Sequence, residues 1–230
     1  MIQRIAFLLL FFVAALQAQE TKTRVALAGD STVTDKAGWG AAFAKLLGPQ
    51  SECLNFAAGG QSTKSFREGK TKPWQKVLDS KPAFVLIQFG HNDMPGKGEH
   101  RETDPATTYR ENLIRYIDEA RAVGAKPIIV TSVVRRLFID GKIRGEVGPW
   151  AEAAKKVGED KKVPVVNLYE RSMALHNEMG PEKSDSFNPL GKDGKPSDHT
   201  HLNEQGAQVI AGIIAEEIRK VEPDLAKLLK

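Results

Sequence analysis

Two short stretches at opposite ends of the 230-residue chain hold the residue types that acyl-transfer chemistry needs. Ser31 lies in "AGDSTV", directly after an apolar run, where a strand hands over to a turn and a hydroxyl stands at the edge of a sheet. A serine in that place has three readings. A phosphate loop would need G-x-x-x-x-G-K-[ST] or G-x-G-x-x-G, and "GDSTVTDKAGWG" has neither. A helix cap satisfies orphan amides but predicts nothing elsewhere in the chain. A nucleophile demands an imidazole to take its proton, a carboxylate to hold that imidazole, and amide donors for an oxyanion.

The stretch "SDHTHLN", 197–203, supplies the imidazole and the carboxylate. Asp198 and His201 are three apart, so one tight turn brings the carboxylate to Nδ1 and leaves Nε2 for a serine. The same residues also read as an exposed loop, with Asn203 capping the helix that follows. His199 and His201 beside Asp198 raise a metal question, but zinc wants three or four convergent ligands. His91 is the single further imidazole on the same edge, since His100 and His176 fall in loop or helix; no metal is expected.

These residues need a scaffold, and the pattern of the chain supplies one. Short β-branched runs at 24–28, 52–57, 83–89, 127–132 and 165–168 alternate with helical stretches at 39–47, 73–79, 105–123, 149–162 and 204–221. That alternation predicts a three-layer α/β/α fold around a five-stranded parallel sheet. The runs are apolar on both faces, as strands covered on each side require. Pro73, Pro105 and Pro149 suit first turns of helices. Asp140-Gly141 between apolar residues predicts a small hairpin after the fourth strand. Ligands collect outside the carboxyl ends of parallel strands. The first three strands end in "GDS", "AAGGQS" and "GHND", three polar, glycine-bearing loops on one edge.

Ser31 in "AGDSTV", Gly60 in "NFAAGGQSTKSF", Asn92 in "QFGHND", and Asp198 with His201 in "DHTHLN" resemble, in order, the four blocks of the SGNH (GDSL-type) hydrolases. Within that superfamily the chain is most similar to the rhamnogalacturonan acetylesterases, through "GDSTV", G-x-S-T-K-S-F, D-x-T-H-L-N and the "VVRRLFIDGKIRG" insertion. The resemblance runs from about Arg24 to the final helix. It implies a flavodoxin-like sheet order and a Ser-His-Asp esterase without a cofactor. Ser31 would be the nucleophile, His201 the base and Asp198 its orienting partner. The Ser31 and Gly60 amides and the Asn92 side chain would form the oxyanion hole. Gln61 departs from the pattern, standing where the resemblance implies Arg.

Neighbouring residues carry expectations of their own. Trp39, Gln61 and His91 are candidates for touching substrate, and Trp39 and Trp150 for stacking on a sugar, with a core role for Trp39 and a tie within its own loop for His91 as the alternatives. Asp30 reads as an Asx turn or cap, and Asp93 as a tie within the "GHND" loop. The substrate implied by the resemblance is an acetylated plant cell-wall polysaccharide, foremost rhamnogalacturonan. Acetylated xylan, a lipid or a thioester are alternatives, and a polysaccharide-binding module without turnover is the non-enzyme one. No extended apolar lid favours lipid. The net charge of +4 comes with scattered lysines, and no basic and aromatic stripe points to nucleic acid.

Arg4 precedes an apolar run over 5–16, and Ala18 follows as a small residue at a cleavage site. Residues 1–18 therefore read as a signal peptide, with 19–230 as one domain, secreted or periplasmic and without a stable membrane anchor after cleavage. Twelve apolar residues are too few to span a bilayer comfortably. The single cysteine, Cys53, has no internal disulfide partner and reads as a buried strand residue.

Overall fold

The computed structural model describes residues 22–230; the expected signal segment at 1–18 and its cleavage site lie outside the described residues. Five strands form one parallel sheet: β1 (Thr23–Gly29), β2 (Ser51–Asn55), β3 (Phe84–Gln88), β4 (Lys126–Val130) and β7 (Val165–Val166). Their spatial order is β2-β1-β3-β4-β7, the flavodoxin-like arrangement. A two-stranded antiparallel excursion, β5 (Phe138–Ile139) and β6 (Lys142–Ile143), turns through Asp140-Gly141 as expected.

The period-two side-chain alternation of a strand explains the three layers. On β1, Val25 and Leu27 face one side while Ala26 and Ala28 face the other; on β3, Phe84 and Leu86 oppose Val85 and Ile87 in the same way. The first face is covered by α1 (Gly40–Leu46), α6 (Leu168–Ser184), α7 (Glu204–Val221) and α8 (Pro223–Ala226). The second is covered by α2 (Ser65–Glu68), α3 (Pro73–Asp79), α4 (Thr108–Ala122) and α5 (Gly148–Asp160). Helix α7 shows why it docks: Ala207, Ile210, Ala211, Ile214 and Ile218 recur at helical spacing and are all buried. Each isoleucine so placed stabilises the fold by about 1.5–3 kcal/mol. Ile210→Ala would therefore cost about 2–5 kcal/mol, cavity included. Asn203 caps the helix by accepting from the Gly206 N–H at 2.9 Å.

Several elements depart from the sequence reading. The edge strand β2 is only partly buried, so its Cys53 is half-buried rather than enclosed; burial still pushes that thiol up to about 12. The last strand is two residues long, because Asn167 accepts from the Glu170 N–H and starts α6 where the strand was expected to continue. Pro105 lies ahead of α4 rather than in its first turn, and the Asp104 side chain instead ties a turn over Ala106 and Thr107. Among the described residues, no helix is long and apolar enough to cross a membrane.

Candidate active site

The loops that follow β1, β2 and β3 meet at the β1/β3 switch point, where a doubly wound sheet opens a crevice. Asp30 ends β1. Its Oδ1 accepts from the Thr32 N–H at 2.8 Å and the Thr32 hydroxyl at 2.7 Å, so it caps the single 3-10 turn Ser31–Val33, as the Asx reading expected. That turn holds Ser31 up at the sheet edge. After β2, Gly60 takes φ +73°, a left-handed conformation that favours glycine, and Gly59 lies against Ser31. After β3, Gly90 at φ +150° passes so close to Ser132 that a Cβ would stand 2.3 Å from its Oγ.

His201 arrives from the far end of the chain. Its Nε2 is 2.8 Å from Ser31 Oγ and its Nδ1 is 2.6 Å from Asp198 Oδ2. A carboxylate only accepts, so Nδ1 carries the proton toward Asp198 and Nε2 is left to accept from the serine. The Asp198 Oδ1 atom accepts from the Thr200 and His201 N–H groups at 2.9 and 3.0 Å, which locks the turn predicted from their spacing. Burial acts to raise the Asp198 carboxyl, but the two amides and the imidazole together bring it down to about 2. The Leu202 N–H, bonded to the Ala37 carbonyl at 3.0 Å, fixes this turn to the loop that follows Ser31.

Asn92 stands on the β3 loop, and its Nδ2 donates to the Gln61 carbonyl at 3.0 Å. One amide hydrogen thus joins the second and third loops while the other is left over. Among the described residues the Gly60 N–H has no hydrogen-bond acceptor. The structure brings Ser31, Gly59, Gly60, Asn92, Asp198 and His201 to one edge. His199 turns away, its Nδ1 3.0 Å from the Asn188 Nδ2. No set of three metal-ligating side chains converges among the described residues.

Three candidates for substrate contact are enclosed: Trp39 takes its core alternative, while substrate contact by Trp150 and His91 is corrected. Trp39 is fully buried and its indole donates to Gln88 Oε1 at 2.9 Å, in a chain that continues from Gln88 Nε2 to Thr32 Oγ1. Trp150 is buried and donates to the Thr103 carbonyl at 3.2 Å. His91 is 2 % exposed, its Nδ1 3.5 Å from Asp30 Oδ2. Burial would raise the Asp30 carboxyl, but His91 and Thr32 hold it below the usual range. Trp39, through Gln88, and His91, through Asp30, set the nucleophile turn from beneath. Gln61, by contrast, stays at the surface of the site, partly exposed.

Asp93 ties its own loop and more. Fully buried, it accepts from the Thr103 hydroxyl further along the same loop and from the Thr63 N–H and hydroxyl, so one carboxyl also joins the loops after β2 and β3. Burial pushes it up to about 7 against those donors. Arg136, just beyond β4, was missed by the sequence reading. It is 2 % exposed; its Nη2 donates to the His201 and Asp198 carbonyls, its Nε to Asn188 Oδ1, and its N–H to the His199 carbonyl. The available signal was a cation set between Val133-Val134 and Leu137-Phe138, right after a buried strand.

A flavodoxin-like sheet presenting a Ser-His-Asp line at its switch point defines a class, the carboxylic ester hydrolases built on this fold. The chain belongs to the GDSL-like lipase/acylhydrolase family, whose model matches residues 24–209. It is 36 % identical over 214 residues to a rhamnogalacturonan acetylesterase of Bacillus subtilis (strain 168), covering 86 % of this chain and 90 % of that one. A rhamnogalacturonan acetylesterase of Emericella nidulans is 27 % identical over 206 residues, 80 % of each chain. Among solved structures, a Bacillus subtilis protein superposes with a TM-score of 0.73 at 25 % identity, over 87 % of this chain and 57 % of that longer one. An acetylxylan esterase of Geobacillus stearothermophilus, at 16 % identity and a TM-score of 0.65 over 86 % and 96 %, shares the fold.

Proposed function

We propose that the protein is a carbohydrate O-acetylesterase that removes acetyl groups from rhamnogalacturonan outside the cytoplasm. The observation that carries the reading is the unbroken line from Asp198 through His201 to Ser31, two contacts of 2.6 and 2.8 Å. The Ser31 Oγ attacks the acetyl carbonyl as His201 Nε2 takes its proton, and Asp198 stabilises the imidazolium without accepting the proton itself. Negative charge gathers on the carbonyl oxygen, where the Ser31 and Gly60 amides and the second Asn92 amide hydrogen hold it. His201 returns the proton to the departing sugar hydroxyl. Water then repeats the cycle on the acetyl-serine and acetate leaves. None of these steps calls on a cofactor.

Rhamnogalacturonan as substrate is supported by the relatives, which span nearly the whole chain. Export is supported by the apolar run over 5–16 behind Arg4. Acetate release from acetylated rhamnogalacturonan, xylan and mannan, measured side by side, tests the substrate; faster release from xylan or mannan would refute it. Mass spectrometry of the exported protein tests the rest, with Gln19 expected as the first residue, and a chain retaining 5–16 would refute cleavage.

A further inference from the structure

The loop beyond Asn92 carries an arginine, Arg101, that forms no ion pair among the described residues. Arg101 is partly buried; its Nε is closed off from solvent with no acceptor, and its Nη groups make no hydrogen bond among the described residues. The side chain lies along the oxyanion loop: a Cβ on Gly60 would stand 3.7 Å from Arg101 Nη1, while one on Gly59 would stand 3.9 Å from Ser31 Cβ. The cation is therefore one residue removed from the glycine that touches the nucleophile.

Its loop is braced on both sides. The Arg101 N–H donates to the Gly98 carbonyl at 2.8 Å, the Gly98 N–H to Glu102 Oε1 at 2.6 Å, and Thr103 hangs on Asp93 by side chain and main chain. Glu102 is thereby committed to its own turn and does not neutralise the arginine. On the other side of Gly60, Gln61 Oε1 leans toward Gly69. Gly69 joins Lys64, Ser65, Glu68, Glu99 and His100 around an open hollow of about 410 Å³. The hollow is thus lined by the chain segments next to Gln61 on one side and next to Arg101 on the other.

A partly desolvated guanidinium without an acceptor is a cost that a ligand relieves. The planar, two-oxygen acceptor that matches its fork is a carboxylate. We propose that Arg101 binds the carboxylate of a uronic acid residue in the substrate, so that the site selects acidic over neutral acetylated glycans. This rests on the acetylesterase reading of the Ser31 site. The backbone of rhamnogalacturonan contains galacturonate and so offers that carboxylate; the xylose and mannose chains of xylan and mannan do not.

The test compares one acetylated rhamnogalacturonan oligosaccharide with its methyl ester, in which the carboxylates are neutralised and the acetyl groups kept. The parent should favour the acid form in kcat/KM by roughly tenfold or more, as a charge-assisted contact to a carboxylate provides. That preference should shrink with added salt. It should fall toward one in Arg101→Gln and to an intermediate value in Arg101→Lys, which keeps the charge and loses the fork. A parent that hydrolyses both forms equally overturns the assignment of Arg101 alone. So does Arg101→Gln losing rate on both forms by the same factor, since the guanidinium would then serve the acetyl group. Turnover of an aryl acetate with neither oligosaccharide hydrolysed overturns the glycan reading and Arg101 with it.

Discussion

Replacing Arg136 with Met separates what holds the catalytic loop in place from what holds the protein together. The guanidinium makes two close bonds, to the partly buried His201 carbonyl and to Oδ1 of the buried Asn188. At about 1.5–3 kcal/mol for each bond to a charged group, the loss is ~3–6 kcal/mol. Against it stands the cost of burying the cation, visible as the fall of its pKa to about 10 despite Asp198 and Asp185 nearby. At ~1.4 kcal/mol per tenfold, that cost is ~3 kcal/mol, and the Met side chain does not bear it. The difference leaves a destabilisation of roughly 0–3 kcal/mol. For a domain of this size that lowers Tm by at most about 10 °C. Activity should suffer more. The turn carrying His201 loses its side-chain tether to β4, and a displacement of about 1 Å between base and nucleophile costs on the order of 10² in rate. The expected result with an aryl acetate is kcat down by about 10² with KM changed little, beside a modest Tm shift by calorimetry. Arg136→Lys, able to reach one of the two acceptors, should recover part of the rate. A folded Arg136→Met with parental kcat would refute the reasoning, as would a collapse of Tm that accounts for all of the lost activity.

Ser31→Ala and His201→Ala should each abolish acetate release in a folded protein, and the double variant should be no slower than either alone, because the two act as one unit; multiplied losses would contradict this. Asn92→Ala should lower kcat on an aryl acetate by about 10² to 10³ with KM nearly constant. The same change removes the bond to the Gln61 carbonyl, so a Tm drop worth about 1 kcal/mol should accompany it; unchanged kcat would place the oxyanion hole elsewhere. Asp93, pushed up to about 7 by burial, keeps a proton in the folded protein that the unfolded chain has already released above about pH 4. The folded state then binds more protons, so this carboxyl's contribution to stability is full below about pH 4 and is lost as pH rises through about 7. Tm measured from pH 4 to 8 should therefore slope downward in the parent relative to Asp93→Asn, and parallel curves would show that Asp93 is ionised throughout.

The sheet and the reacting groups were legible because both rest on local pattern. Apolar runs of strand length, with turns between them, gave the strands and their place along the chain, the family resemblance implied their order in the sheet, and the three-residue spacing of Asp198 and His201 gave the turn that their hydrogen bonds close. What the sequence concealed depends on contacts between distant segments. Nothing near Trp39 or His91 says that Gln88 and Asp30 wait beneath them, so local sequence left substrate contact beside a structural role for each, and tertiary packing decides by enclosing both. Arg136 was hidden for the same reason: its partners lie more than fifty positions away. Helix α6 escaped because Asn167 ends a strand and caps a helix at once, and because Gly180, at φ 73°, breaks the helical backbone before Pro181.

Ser31 and His201 are separated by 170 positions, and the turn bearing the base leads directly into α7, the long helix near the chain's end. Helix α7 packs beside α1, and the Lys230 and Gly48 N–H groups bond to Leu46 and Leu228, tying the last residue of the chain to the end of α1. A chain that emerges from its amino end can shape the nucleophile turn and both oxyanion loops while the imidazole is still being synthesised or threaded. Such an intermediate holds a serine but no base, so it cannot attack esters it meets on the way. Hydrolysis at Ser31 therefore requires both ends of the chain at once, the nucleophile turn from one and the docked 198–201 turn from the other.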